Sequence, residues 1–211
     1  MNKRELQKKK TRQHLLETAR DAFISKGFLQ TSTAEISKKA GVAHGTLFVH
    51  FKSKDILIVE IIDEVLDRVS EEMQKLGSKT DNPLEMLDLY LDFLIEQEDL
   101  FSVLARELPF YQEELRRKII FREAIIRENF HTELVEGIKQ GEVKNIDVSS
   151  ALNFLFGVIN LYLSRKTSYI SEGSVIAKFK PSILRTFQQM IYEANHETEH
   201  QIHETIGGDY E

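Results

Sequence analysis

The chain of 211 residues contains no cysteine. Disulfides and thiolate metal sites are therefore excluded, and a cytoplasmic protein is the expectation. No apolar run reaches the ~18 residues that a membrane helix needs, so no membrane span is expected. The N-terminus, M-N-K-R-E-L-Q-K-K-K, lacks the apolar stretch of a signal peptide. Nucleotide-binding glycine loops, dinucleotide-binding glycine patterns and credible nucleophile–base pairs are also missing. Paired Asp and Glu residues occur, but on amphipathic helices, where they belong to solvated faces. No catalytic residue and no cofactor is expected, so an enzyme has no foundation here. Internal repeats and strand-like alternation are absent as well.

What is present is an asymmetry of charge. The net charge of −6 conceals 12 Lys and Arg against 4 Asp and Glu in residues 1–54, and 16 against 30 in the remainder. A segment at +8 on a body at −14 points to a head that meets a polyanion.

Apolar spacing predicts helices throughout. Lys8, Lys9, Lys10 and Arg12 form a basic arm leading into a first helix with the stripe Leu15, Leu16, Ala19, Ala22 and Phe23. Gly27 ends it, with Phe28 placed for the apolar contact that accompanies a glycine cap. Ser53 caps a long helix from Lys54 to about Leu76, and residues 77–83 form a linker. Further helices are expected over 84–97, about 100–108 and 112–140, then from Asp147, and last from about Pro181 to Ala194. The segment Ala151–Leu163 is apolar nearly all round, which in a small domain needs burial by a second subunit. Asn153 and Asn160, with Gly157 between them, fit either a helix–helix contact in a dimer or polar anchors in a ligand pocket. Tyr90, Phe93, Phe101, Phe110, Phe121 and Phe156 are core by default and, with Asn160, the candidate lining of such a pocket. His196, Glu197 and His200 match H-E-x-x-H, a zinc-protease signature. They lie in a hydrophilic tail with no apolar flank, so no functional metal site is expected.

The most informative stretch is T-S-T-A-E-I-S-K-K-A-G-V-A-H-G-T-L-F-V-H-F-K-S-K, residues 31–54. Ser32 and Glu35 are spaced as a capping box for a helix from Thr33. Gly41 sits where a left-handed C-cap is wanted. A second short helix, His44 to His50, can bury Leu47 but not all of its polar face. Two short helices about a glycine turn are the geometry that places one helix in a DNA major groove.

These residues resemble the TetR-type bacterial transcriptional regulators. The matches are Glu35, Ile36, Ala40, Gly41, Val42, Gly45, Thr46, Leu47, His50, Phe51, Ser53, Lys54 and Leu57, in one register without gaps. Ala43 and Phe48 depart from the usual Ser and Tyr, and Asp55 replaces the usual Glu. The resemblance implies an all-α fold of about nine helices: a helix-turn-helix DNA-binding head (1–54), a larger ligand-binding and dimerisation body (55–196) and a polar, disordered tail (197–211). It also implies a homodimer joined by the last two long helices, a double-stranded operator as partner, and a small-molecule effector that releases a repressor from that operator. By motif position Ser32, Thr33, Phe48, His50, Lys52 and Lys54 meet phosphates, and His44, Gly45, Thr46 and Val49 lie nearest base edges. The alternative from another class is a DNA-binding protein of the same shape that answers to a protein partner.

Overall fold

The computed structural model describes residues 2–77 and 82–192. Among them are ten α-helices and no strand: α1 Lys3–Lys26, α2 Thr33–Lys39, α3 His44–His50, α4 Lys54–Gly77, α5 Pro83–Glu96, α6 Glu98–Glu107, α7 Glu113–Gln140, α8 Val148–Ser164, α9 Lys166–Tyr169 and α10 Val175–Ile191, with a 3-10 turn at Leu108–Phe110. The helix beyond the expected nine is α9, a single turn too short to carry an apolar period.

Two boundaries differ from the sequence expectation. The basic arm is part of α1, because Asn2 accepts from Arg4 N while Glu5 reaches back to the Asn2 amide, a complete capping box. Helix α10 starts at Val175, so Pro181 lies inside it rather than at its first turn. Ser174 accepts from Ala177 N, and the Glu98 carboxylate takes the Val175 and Ile176 amides at 3.0 Å each. With its first amides satisfied, the helix begins there despite the proline.

The core is continuous from head to body. Leu15, Ala19 and Phe23 of α1 pack with Ile36, Leu47 and Phe51, all fully buried, and α4 carries the core onward through Ile58, Ile62, Val69 and Met73. Arg122 of α7 ties α4 through Asp63 and Asp67. Lys180 of α10 ties α5 through Asp88 and Asp92. On α8, Leu152, Leu155 and Ile159 face inward, while Phe154, Val158 and Leu161 form an exposed apolar stripe. Among the described residues no helix is long and apolar enough to cross a membrane.

Candidate nucleic-acid interface and effector cavity

Helices α2 and α3 are fixed by local bonds. Ser32 Oγ accepts from Glu35 N at 3.2 Å, but the second half of the box does not form, because the Glu35 carboxylate pairs with Lys26. Gly41 takes φ +67°, and Val42 N donates to Ser37 O. Thr33 Oγ1 and His44 Nε2 meet at 3.0 Å, joining the starts of the two helices. Buried Leu47 sets the rotation of α3 and leaves His44, Gly45, Phe48 and Val49 outward, with Thr46 and His50 half-buried. A Cβ on Gly45 would meet nothing within 4 Å. Glycine inside a helix costs about 1 kcal/mol against alanine, and nothing in the chain's own packing asks for it. Burial, then the cations of Lys8 and Arg12, hold the His50 imidazole below its ordinary pKa.

The cations divide in a way that sequence did not reveal. Lys8, Lys9, Lys10, Lys38, Lys39 and Lys52 are exposed. Arg12 instead pairs with Glu60 and lies 4.9 Å over the Phe51 ring. Lys54, expected to meet a phosphate, donates to Phe28 O at 2.9 Å and Thr31 O at 3.2 Å, so its ammonium fastens the α1–α2 turn to the start of α4.

Ala43, the N-cap of α3, is extended at φ −63°, ψ 143° and makes no side-chain cap bond. Ala43→Ser supplies the missing acceptor and is expected to stabilise the protein by about 0.5–2 kcal/mol in thermal or denaturant melts. Phe48 is 43% exposed, its ring edge-on to His44 at 5.0 Å. A hydroxyl added by Phe48→Tyr is therefore expected to leave the melting temperature unchanged, contrary to a core position.

The α1–α2 turn is also gripped by the body. Glu107, at the end of α6, accepts from Leu29 N at 3.0 Å, and Tyr111 OH donates to the same carboxylate at 3.5 Å. Phe28 is wholly buried between Phe23 and Tyr111. The other end of α6 carries Glu98, which receives Ser174 Oγ, the Val175 and Ile176 amides and Lys166 Nζ.

Between these ends, Phe101, Leu104 and Ala105 of α6 line a cavity of about 170 Å³ whose other walls include Tyr90, Glu123, Arg127, Phe156 and Asn160. Arg127 lies 4.5 Å over Phe156 and donates to Asn153 Oδ1 at 3.0 Å. Both asparagines are exposed, but Asn160 lines the cavity and Asn153 does not. Burial pushes the Glu123 carboxyl up, with Arg127 opposing, and pushes the Tyr90 hydroxyl up as well, with help from Glu123. Phe93 lines a separate groove of about 820 Å³ between α4, α5 and α10.

Phe110 and Phe121 line neither void, being 74% and 69% exposed. Helix α7 turns Ile119 and Ile126 inward, and Phe121 lies about 200° round from Ile119 at 100° per residue. After the 3-10 turn it is Tyr111 that takes the buried place beside Phe28. The H-E-x-x-H segment and the rest of the tail lie outside the described residues. Among those described, no group of three or more His, Asp or Glu could hold a metal ion.

Two family models match the chain: bacterial regulatory proteins, tetR family, over residues 15–61, and the tetracyclin repressor-like C-terminal domain over residues 84–163. The fatty acid metabolism regulator protein of Bacillus subtilis is 26% identical over 162 residues, which span 73% of this chain and 82% of that one. The HTH-type transcriptional regulator QacR of Staphylococcus aureus is 26% identical over 151 residues, 69% of this chain and 80% of that one. Among solved structures, the transcriptional regulator FadR from Bacillus subtilis in complex with stearoyl-CoA superimposes with a TM-score of 0.74 at 25% identity, covering 85% of this chain and 99% of that one.

Proposed function

This chain belongs to the TetR family of bacterial DNA-binding transcriptional regulators, and from that premise we propose that it is a homodimeric repressor released from its operator by a long-chain acyl-CoA. The observation that carries the release is the position of α6. Its inner face lines the cavity while its last residue holds the Leu29 amide of the head. A ligand that favours a displaced α6 favours a displaced head, and DNA that requires the original head position disfavours the ligand in return. The acyl-CoA class comes from the likeness to a regulator bound to stearoyl-CoA, and the chemistry of the cavity agrees with it. Its walls are mostly apolar, and Arg127 offers a cation to phosphate or thioester oxygen. Control by a protein partner finds no support among the relatives.

For the operator, α3 is the reading helix, with His44, Gly45, Thr46 and Val49 nearest the bases. Gly45 leaves room for a close approach. Ser32, Thr33, Phe48, His50 and Lys52 lie toward phosphates, joined by the exposed lysines of α1. The dimer face is the stripe Phe154, Val158 and Leu161 with α10 beside it, which brings two copies of α3 to grooves about 34 Å apart.

Selection from a random duplex library, followed by titration across salt concentrations, tests the reading. The expected result is one enriched, two-fold-related sequence whose log affinity falls linearly with log salt as bound cations displace counterions. Lys52→Ala should flatten that slope by about one unit. Stearoyl-CoA should weaken binding by roughly 5–150-fold, the usual range of allosteric coupling. Enrichment of no sequence overturns operator recognition, and unchanged affinity with stearoyl-CoA overturns the effector.

A further inference from the structure

The cavity beside α6 measures about 170 Å³, whereas pockets for drug-sized ligands run roughly 300–1,000 Å³. By itself it is too small for a long acyl chain. We propose that the cavity and the neighbouring groove are two compartments of one acyl-chain site, parted by the touching rings of Phe93 and Phe101, which thereby set the chain length accepted. The proposal rests on the acyl-CoA reading above.

One helix is the common wall. Helix α5 turns Tyr90 and Leu94 to the cavity, and Leu89 and Phe93 to the groove. Helix α4 does the same with Leu66 on the cavity side and Val69 on the groove side. Phe93 and Phe101 meet across this wall with ring centroids 6.1 Å apart and planes at 65°. Rotation of these two side chains would join the compartments. Beyond the pair lies an apolar floor of Val69, Leu89 and Leu184 within about 820 Å³ of space, ample for the remainder of a chain.

Charge fixes which end of the ligand goes where. The polar side of the cavity holds Arg127 and Glu123, and burial pushes the Glu123 carboxyl up toward its neutral form, which leaves the guanidinium as the prevailing charge. The groove is rimmed by Glu85, Asp88, Asp92 and Glu96. Lys180 pairs with the two aspartates and Arg68 with Glu96, yet the rim stays negative. The phosphates of coenzyme A are attracted to the first end and repelled from the second. Only the uncharged methyl end crosses.

Dissociation constants for acyl-CoAs from octanoyl to stearoyl, measured on the wild type, Leu89→Trp and Phe93→Ala, test this. Leu89 is half-buried at the groove, so the tryptophan fills the second compartment without entering the core. Wild-type affinity should rise with chain length. Leu89→Trp should weaken stearoyl-CoA by about ten-fold or more, the equivalent of two methylenes left unburied, with octanoyl-CoA unchanged. Phe93→Ala, which removes the partition, should raise the ratio of stearoyl to octanoyl affinity above that of the wild type. The same ratio of stearoyl to octanoyl affinity in all three proteins overturns the two-compartment site and leaves the effector reading standing. A wild type that binds no acyl-CoA of any length overturns both.

Discussion

Replacing Glu98 by alanine is expected to lower the folding free energy by about 3–5 kcal/mol, the cost of removing one partner from a buried ion pair. For a chain of this size that is a fall in melting temperature of roughly 6–20 °C. Glu98 is 3% exposed and serves four donors: Ser174 Oγ, the Val175 and Ile176 amides, and Lys166 Nζ at 2.9 Å. Val175 and Ile176 are fully buried, so water cannot replace the lost acceptor. The damage falls on the start of α10, half of the proposed dimer face, and the variant should dissociate at higher protein concentration than the wild type. Glu98 also carries a pH dependence of known sign. Burial raises its carboxyl, but the bonds from Ser174, Ile176, Lys166 and Val175 outweigh that and leave it below the ordinary 4.5. The stabilisation is therefore complete above the ordinary carboxylate range and is lost as pH falls through the lower folded value. Calorimetry from neutral to acid pH should show this acid loss in the wild type and a flatter profile in Glu98→Gln. A drop of less than about 2 °C for Glu98→Ala at neutral pH would falsify the anchoring role.

The second large effect is expected at Gly27. Its backbone, φ 90° and ψ 157°, lies in a region essentially reserved for glycine, where another residue incurs strain of about 1–3 kcal/mol. A Cβ there would also overlap the Glu107 carboxylate. Pushed aside, Glu107 releases Leu29 N, and the loss of a hydrogen bond to a charged acceptor costs about 1–3 kcal/mol more. Gly27→Ala should thus destabilise by roughly 2–6 kcal/mol and loosen the head from α6. The pair of variants separates the two causes. If collision with the carboxylate contributes, Gly27→Ala combined with Glu107→Ala will be less destabilising than the sum of the two, by about 0.5–3 kcal/mol. Strict additivity would assign the whole loss to backbone strain.

Much of the DNA-binding segment was legible because it is local. Ser32 does cap α2, and Gly41 does take positive φ. These features depend on chemistry within one turn of the residue concerned. The lining of the cavity was half legible. Tyr90, Phe101, Phe156 and Asn160 line the cavity, whereas Phe110 and Phe121 point to solvent. Composition singles out aromatic residues but not the side of a helix that its neighbours cover.

By itself the sequence determined the all-α class, the placement of α2 and α3, the helix-turn-helix register and the charge asymmetry between head and body. Apolar period and capping act over three to five residues, so the chain states them directly. The tertiary structure alone decided the rest. It turned Lys54 from a free cation into a clamp on Phe28 and Thr31 carbonyls. It started α10 at Val175 through a carboxylate 77 positions away, and it set Glu107 against Leu29 across 78. Such bonds exist only once the packed core has brought distant helix ends together, and no local pattern encodes which ends will meet.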